Sequence, residues 1–134
     1  MDDLSASAVA AFLAEPVLAT LATYKRDGSV LLSPVWQEWT GKAFHVLLGR
    51  NDIKTMHVRR DARVGIAVYE QAPPYRGVEA AGAAALIDDA YSEVLERMAR
   101  RYLPAGLPKA LARDGVVLEL QPTRMRSWSF ASWF

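Results

Sequence analysis

Val17-Leu18-Ala19-Thr20-Leu21-Ala22-Thr23-Tyr24, Lys25-Arg26-Asp27-Gly28, then Val30-Leu31-Leu32-Ser33-Pro34-Val35-Trp36-Gln37-Glu38-Trp39 and Thr40-Gly41-Lys42: read in order, these residues decide the fold. Residues 17–24 lack clean alternation, which predicts a strand covered on both faces. The next four supply a turn, with Gly28 able to take positive φ. Residues 30–39 read as a second strand, and Thr40-Gly41-Lys42 turns it into a third that ends at Leu48. Two tight hairpins in succession make an antiparallel meander. A doubly wound sheet would need long crossovers between its parallel strands instead.

Working outward, Ser5 or Ser7 caps a short helix through Val9, Phe12 and Leu13 that Pro16 ends. Asn51 or Asp52 caps another, running to about Arg60. Residues 64–69 form a fourth strand with Val64, Ile66 and Val68 on one side. Beyond Pro73-Pro74, residues 78–87 form a long strand in which Gly82 marks a close backbone approach or a bend. Asp88 or Asp89 begins the strongest helix, because Tyr91, Val94, Leu95, Met98 and Tyr102 share one helical stripe. Glu93–Arg97 and Glu96–Arg100 support it as i,i+4 pairs. Residues 103–113 read as a loop or weak helix interrupted by Pro104 and Pro108. Two strands, 116–120 and 125–130, hinge at Pro122. The expectation is one mainly β domain over residues 1–134, with six or seven antiparallel strands and short helices at the corners. A small closed barrel suits that pattern, since closure removes exposed edges; an open α+β sandwich fits it less well.

A net charge of +1 gives no global basic field, so nucleic acid is not an expected partner. The absence of cysteine excludes disulfides, thiolate nucleophiles and zinc–thiolate sites. No apolar run reaches the roughly 18 residues that span a bilayer, and the acidic start Met1-Asp2-Asp3-Leu4 lacks a basic signal region. A cytoplasmic location, away from membranes, is expected. No dinucleotide-binding glycine motif, P-loop, zinc-protease helix or nucleophile elbow occurs. His45 falls in a strand and His57 in the short helix, where a structural or solvated role suits each better than catalysis. No metal site is expected, and any chemistry here is expected to come from a bound cofactor.

The densest charge feature is Arg50, Lys54, His57, Arg59, Arg60 and Arg63, diluted by Asp52 and Asp61. One reading is a solvated helix face. The other is an anion site, in which Lys54 adds a mobile charge to the outward N–H groups of a capped helix.

The order of motifs then resembles a known superfamily. Residues 18–23, Asp27-Gly28, Ser33-Pro34-Val35-Trp36 and Lys54 followed by Arg59-Arg60-Asp61-Ala62-Arg63-Val64 come first. Pro74-Tyr75-Arg76-Gly77-Val78, Gly82, Arg101-Tyr102, Pro122, Arg124 and Trp128 follow. The series resembles the FMN-binding split-barrel superfamily of pyridoxamine 5'-phosphate oxidase-like proteins, and within it the small oxidoreductases that use coenzyme F420, a deazaflavin. It covers about residues 12–130. The resemblance implies a split β-barrel and a homodimer with two cofactors lodged between subunits. It implies that Lys54 binds the cofactor phosphate, that Ser33, Pro34, Val35 and Trp36 line the tricyclic ring, and that Tyr75 and Arg76 approach it. For Trp36 a core role is the alternative. The chain departs from the family at Met56 and His57, where Arg-Asn is frequent. It departs again at Leu47-Leu48-Gly49-Arg50, where Arg50 is expected to replace a missing hydroxyl. Its C-terminal part lacks resemblance to the segment with which true pyridoxamine-phosphate oxidases grip pyridoxal, so a vitamin B6 role is not expected.

The function so implied is hydride transfer between F420 and a small planar organic substrate, with Tyr75 or solvent as proton source. Arg50, Arg59, Arg60 and Arg76 would favour the long anionic tail of F420 over FMN. The alternatives are an FMN flavoenzyme of the same fold, a non-catalytic binder of a cofactor or haem, and a plain dimeric interaction module.

Overall fold

A computed structural model describes residues 1–108 and 114–134, so part of the loop or weak helix expected over 103–113 lies outside the described residues. The described strands are β1 (Ala19–Tyr24), β2 (Val30–Val35), β3 (Glu38–Trp39), β4 (Phe44–Gly49), β5 (Arg63–Tyr69), β6 (Gly77–Ile87), β7 (Gly115–Leu120) and β8 (Arg124–Trp128). The helices are α1 (Ala6–Leu13), α2 (Ile53–Arg60) and α3 (Tyr91–Tyr102). Every strand pairing is antiparallel, in the order β2-β1-β5-β6-β7-β4-β3, with β8 also on β6. β2 and β3 lie at opposite ends of that order, yet only Trp36 and Gln37 separate them in the chain. The sheet must therefore curl until its ends meet. The result is a split β-barrel.

The second strand expected over residues 30–39 is thus two strands that belong to different halves. Gln37 makes the break: it is fully buried, its Nε2 donates to the Leu13 carbonyl at 3.0 Å, and its backbone N–H reaches the Tyr102 hydroxyl at 3.3 Å. Gly82 marks the other junction. β6 pairs with β5 along one edge, while its second edge takes β8 up to Ala81 and β7 from Ala84. A Cβ at Gly82 would come within 3.1 Å of the Gln121 carbonyl oxygen, so only glycine fits the corner without a shift.

Ser5 caps α1 through its Oγ, and the helix buries Val9, Phe12 and Leu13 against the barrel interior. Leu21, Val46, Ile66, Val68 and Leu118 meet it there. β1 alternates: Ala19, Leu21 and Thr23 are buried, whereas Thr20, Ala22 and Tyr24 stay half-exposed. The expected cover on both faces therefore holds for only one face within a single chain. β7 is covered twice, because Val117 faces away from the interior and lies under Val94 and Met98 of α3.

α3 starts two to three residues later than its expected cap. Ala90 precedes it without a side-chain hydrogen bond, and Asp88 instead pairs with Arg50 at 2.8 Å. The C-terminal half of α3 holds the break between β2 and β3. Arg97 donates to both oxygens of Glu38 at 2.8 and 2.9 Å. Arg101 donates to the carbonyls of Leu13 and Gln37. The Tyr102 ring stacks on Trp36 at 5.0 Å, and its hydroxyl donates to the Val17 carbonyl at 2.7 Å. Residues 36–38 are therefore fixed from one helix, and so is the strand end that precedes them.

Candidate functional site

A cavity of about 470 Å³ lies between that strand end, the end of β4 and the facing ends of α2 and α3. Leu18, Pro34, Val35 and Trp36 make one wall, and Leu47 to Gly49 make the floor. Tyr91 and Leu95 close the side under α3, and Asp52 and Lys54 stand at the start of α2. The volume falls in the range of organic-ligand pockets, and the lining is mostly apolar with polar groups gathered at one end.

The polar end is built locally. Asp52 is the N-cap of α2, its Oδ1 accepting from the Lys54 backbone N–H at 2.9 Å. The Lys54 Nζ returns over the cap and donates to Asp52 Oδ2 at 3.1 Å. Thr55, fully buried, donates from Oγ1 to the Gly49 carbonyl at 2.6 Å and so ties α2 to the end of β4. Partial burial pushes the Asp52 carboxyl up, but hydrogen bonds from the Lys54 backbone and side chain, with its charge, outweigh burial and hold it below its ordinary value. On the other side, burial pushes the Tyr91 phenol up and the charge of Asp114 adds to that.

Of the residues singled out from the sequence, the structure brings Pro34, Val35, Trp36 and Lys54 together on this cavity. Ser33 pairs with buried Leu21 and so shares its face of the sheet, turned toward the barrel interior and away from the face of Pro34. Trp36 combines both readings weighed for it, its ring stacked on Tyr102 while the residue lines the cavity.

The arginines lie elsewhere. Arg50 is held by Asp88, Asp114 and the Gly115 carbonyl, outside the lining. Arg59 is exposed on α2. Arg60 donates to the Tyr24 carbonyl at 2.6 Å and borders a separate depression with Lys25, Arg26 and Ile53. Tyr75 sits at φ 56° beyond the cis Pro73–Pro74 bond, its ring against Phe134. Arg76 pairs with Glu70 at 2.7 Å and Glu15 at 3.1 Å, over the Phe12 ring. Neither Tyr75 nor Arg76 lines the cavity.

Both histidines are engaged within the fold. His57 is buried with Nδ1 at 3.0 Å from the Thr23 hydroxyl, and His45 lies between the carboxylates of Glu38 and Glu119. Among the described residues no group of three acidic or histidine side chains is arranged to hold a metal ion. Among them, too, no helix is long and apolar enough to cross a membrane.

Sequence reasoning missed Leu18, Asp52, Tyr91 and Leu95 as cavity residues. Asp52 carried a signal, but as a helix cap; Tyr91 and Leu95 carried only that of a buried stripe. The donor set nevertheless suits a tricyclic ligand that bears a phosphate. Apolar walls and two aromatic side chains, Trp36 and Tyr91, flank the ring space, and an ammonium marks the anionic end. Asp52 is the one member of the lining that opposes an anion.

The family model described as pyridoxamine 5'-phosphate oxidase matches residues 5–129. Among solved structures the chain is similar to an F420 reductase, with 24% identity, a TM-score of 0.75, and cover of 86% of this chain and 93% of that one. A conserved hypothetical protein from Mycobacterium tuberculosis gives 23% identity, a TM-score of 0.79 and cover of 97% and 88%. A candidate pyridoxamine 5'-phosphate oxidase from Listeria innocua gives 18%, 0.74, and cover of 91% and 96%. No curated protein matches the sequence significantly.

Proposed function

Because the chain belongs to the pyridoxamine 5'-phosphate oxidase family, we propose that it is a cytoplasmic, homodimeric oxidoreductase that uses coenzyme F420 to reduce a small planar organic molecule. The observation that carries this reading is one cavity shared by Lys54 and the Pro34-to-Trp36 wall. The cofactor, when bound, supplies the hydride. Lys54 offers its ammonium to the phosphate, a charge-assisted contact. Leu18, Pro34 and Leu95 keep water from the ring, and α3 holds Trp36 in place through Tyr102. Similarity to an F420 reductase supports the choice of deazaflavin.

FMN is the second reading, and a specific observation favours it. Arg50 and Arg76, expected to meet the anionic tail of F420, are each held by two carboxylates. Anaerobic titration with F420 and with FMN separates the two. Lys54→Ala should weaken the preferred cofactor by about 1.5–3 kcal/mol, the range for a hydrogen bond to a charged group. Its melting temperature should scarcely move, because the Asp52 cap is made to a backbone N–H that alanine keeps. Unaltered affinity in Lys54→Ala would remove Lys54 from the site. Tighter binding of FMN than of F420 would promote the flavoenzyme. Binding of neither would overturn the function.

A further inference from the structure

Asp52 has no part in the function proposed above, yet it faces the same cavity as Lys54. Its position is not adjustable, because Oδ1 is committed to capping α2 while the carboxylate lies 3.0 Å from the Lys54 Nζ. Arg50, the nearest arginine in sequence, is already matched by Asp88 and Asp114. The cavity lining therefore carries one ammonium and one carboxylate, and no net charge.

We infer that Asp52 is a specificity residue that selects the charge of the phosphate received by Lys54, admitting a singly charged phosphodiester and disfavouring a doubly charged phosphomonoester. This rests on the function proposed above and deepens it. A phosphomonoester carries about −1.5 to −2 near neutral pH, while a phosphodiester carries a single charge. The cost of taking an ion out of water grows with the square of its charge, whereas attraction to a fixed cation grows only in proportion to it. A full lysine charge repays the larger cost. A lysine half-cancelled by a carboxylate at hydrogen-bond distance repays the smaller one only. The phosphate of F420 is a diester and that of FMN is a monoester, so the same pair of side chains ranks the two cofactors without contacting either ring.

Asp52→Asn tests this, since asparagine caps a helix about as well as aspartate and removes the charge alone. Dissociation constants are measured for riboflavin, F420 and FMN with both proteins at 0.15 M salt. At that strength charges beyond about 8 Å, including those of the F420 tail, are largely screened. Riboflavin, which has no phosphate, should bind both proteins within about twofold. FMN should tighten about tenfold and F420 only about threefold, because the released potential acts on roughly twice the charge in FMN. Equal shifts for FMN and F420, or no gain for FMN, would overturn the inference while leaving the proposed function standing. If neither phosphate-bearing ligand binds either protein, the proposed function falls and the inference with it. Should Asp52→Asn fail to fold, Asp52→Ser, another N-cap without the charge, gives the same comparison.

Discussion

Glu38 accepts two hydrogen bonds from Arg97 and lies 3.1 Å from the His45 ring. The Arg97 bonds pull its carboxyl down, burial opposes them, and His45 adds to the lowering, so the folded value lies below the ordinary 4.5. A carboxyl lowered on folding stabilises the fold at pH above its unfolded value. That contribution is lost as pH falls through the folded value. Glu38→Gln should therefore cost on the order of 1 kcal/mol at pH 7, a figure reduced for the solvent around Arg97. The gap between urea melts of the two proteins should begin to narrow as pH falls through the ordinary carboxylate range and keep narrowing below it; a gap that widens on acidification would contradict the assignment. At this scale Lys54 was legible as a lysine in the first turn of a capped helix, where the structure has it. It could not show that Arg50 and Arg76 are spoken for. Their partners Asp88, Asp114 and Glu15 come from segments that only the closed barrel brings near.

β4 and β7 run so close at their ends that Gly49 and Gly115 face each other across the ladder. A Cβ on Gly115 would collide with the Leu48 carbonyl and the Tyr91 ring. Gly115→Ala should cost about 1–3 kcal/mol, as overpacking does, and should weaken ligand binding because the ring displaced is a wall of the cavity. A variant that melts and binds as the parent does would refute this. The hairpins were legible because turn residues announce themselves. The break at Trp36-Gln37 was not, since its residues have strand character and only the grip of α3 bends them out of line. The apolar stripe of α3 was legible as a stripe. What the stripe alone did not reveal is where its ends go, Tyr91 to the cavity lining and Tyr102 onto Trp36.

At the scale of the molecule, several large apolar side chains stand exposed. Leu18 is 54% exposed, Leu32 66%, Ile53 59% and Met56 46%. Large apolar side chains left in water are candidates for cover by a second copy of the chain. Sedimentation at micromolar concentration should give about twice the 14.8 kDa chain mass, and Leu32→Glu should shift it toward one chain; a clean single-chain mass for the parent would sink the dimer. Barrel closure was inferable from strand count and edge avoidance, whereas the path of closure depended on one strand serving two halves. β6 is that strand, pairing with β5 as far as Ala83, with β8 as far as Ala81 and with β7 from Ala84. Neither half can be peeled away without tearing the ladder of the other. The barrel should thus come apart in a single cooperative event, and α2, tied to β4 through Thr55 and to β1 through His57, should go with it.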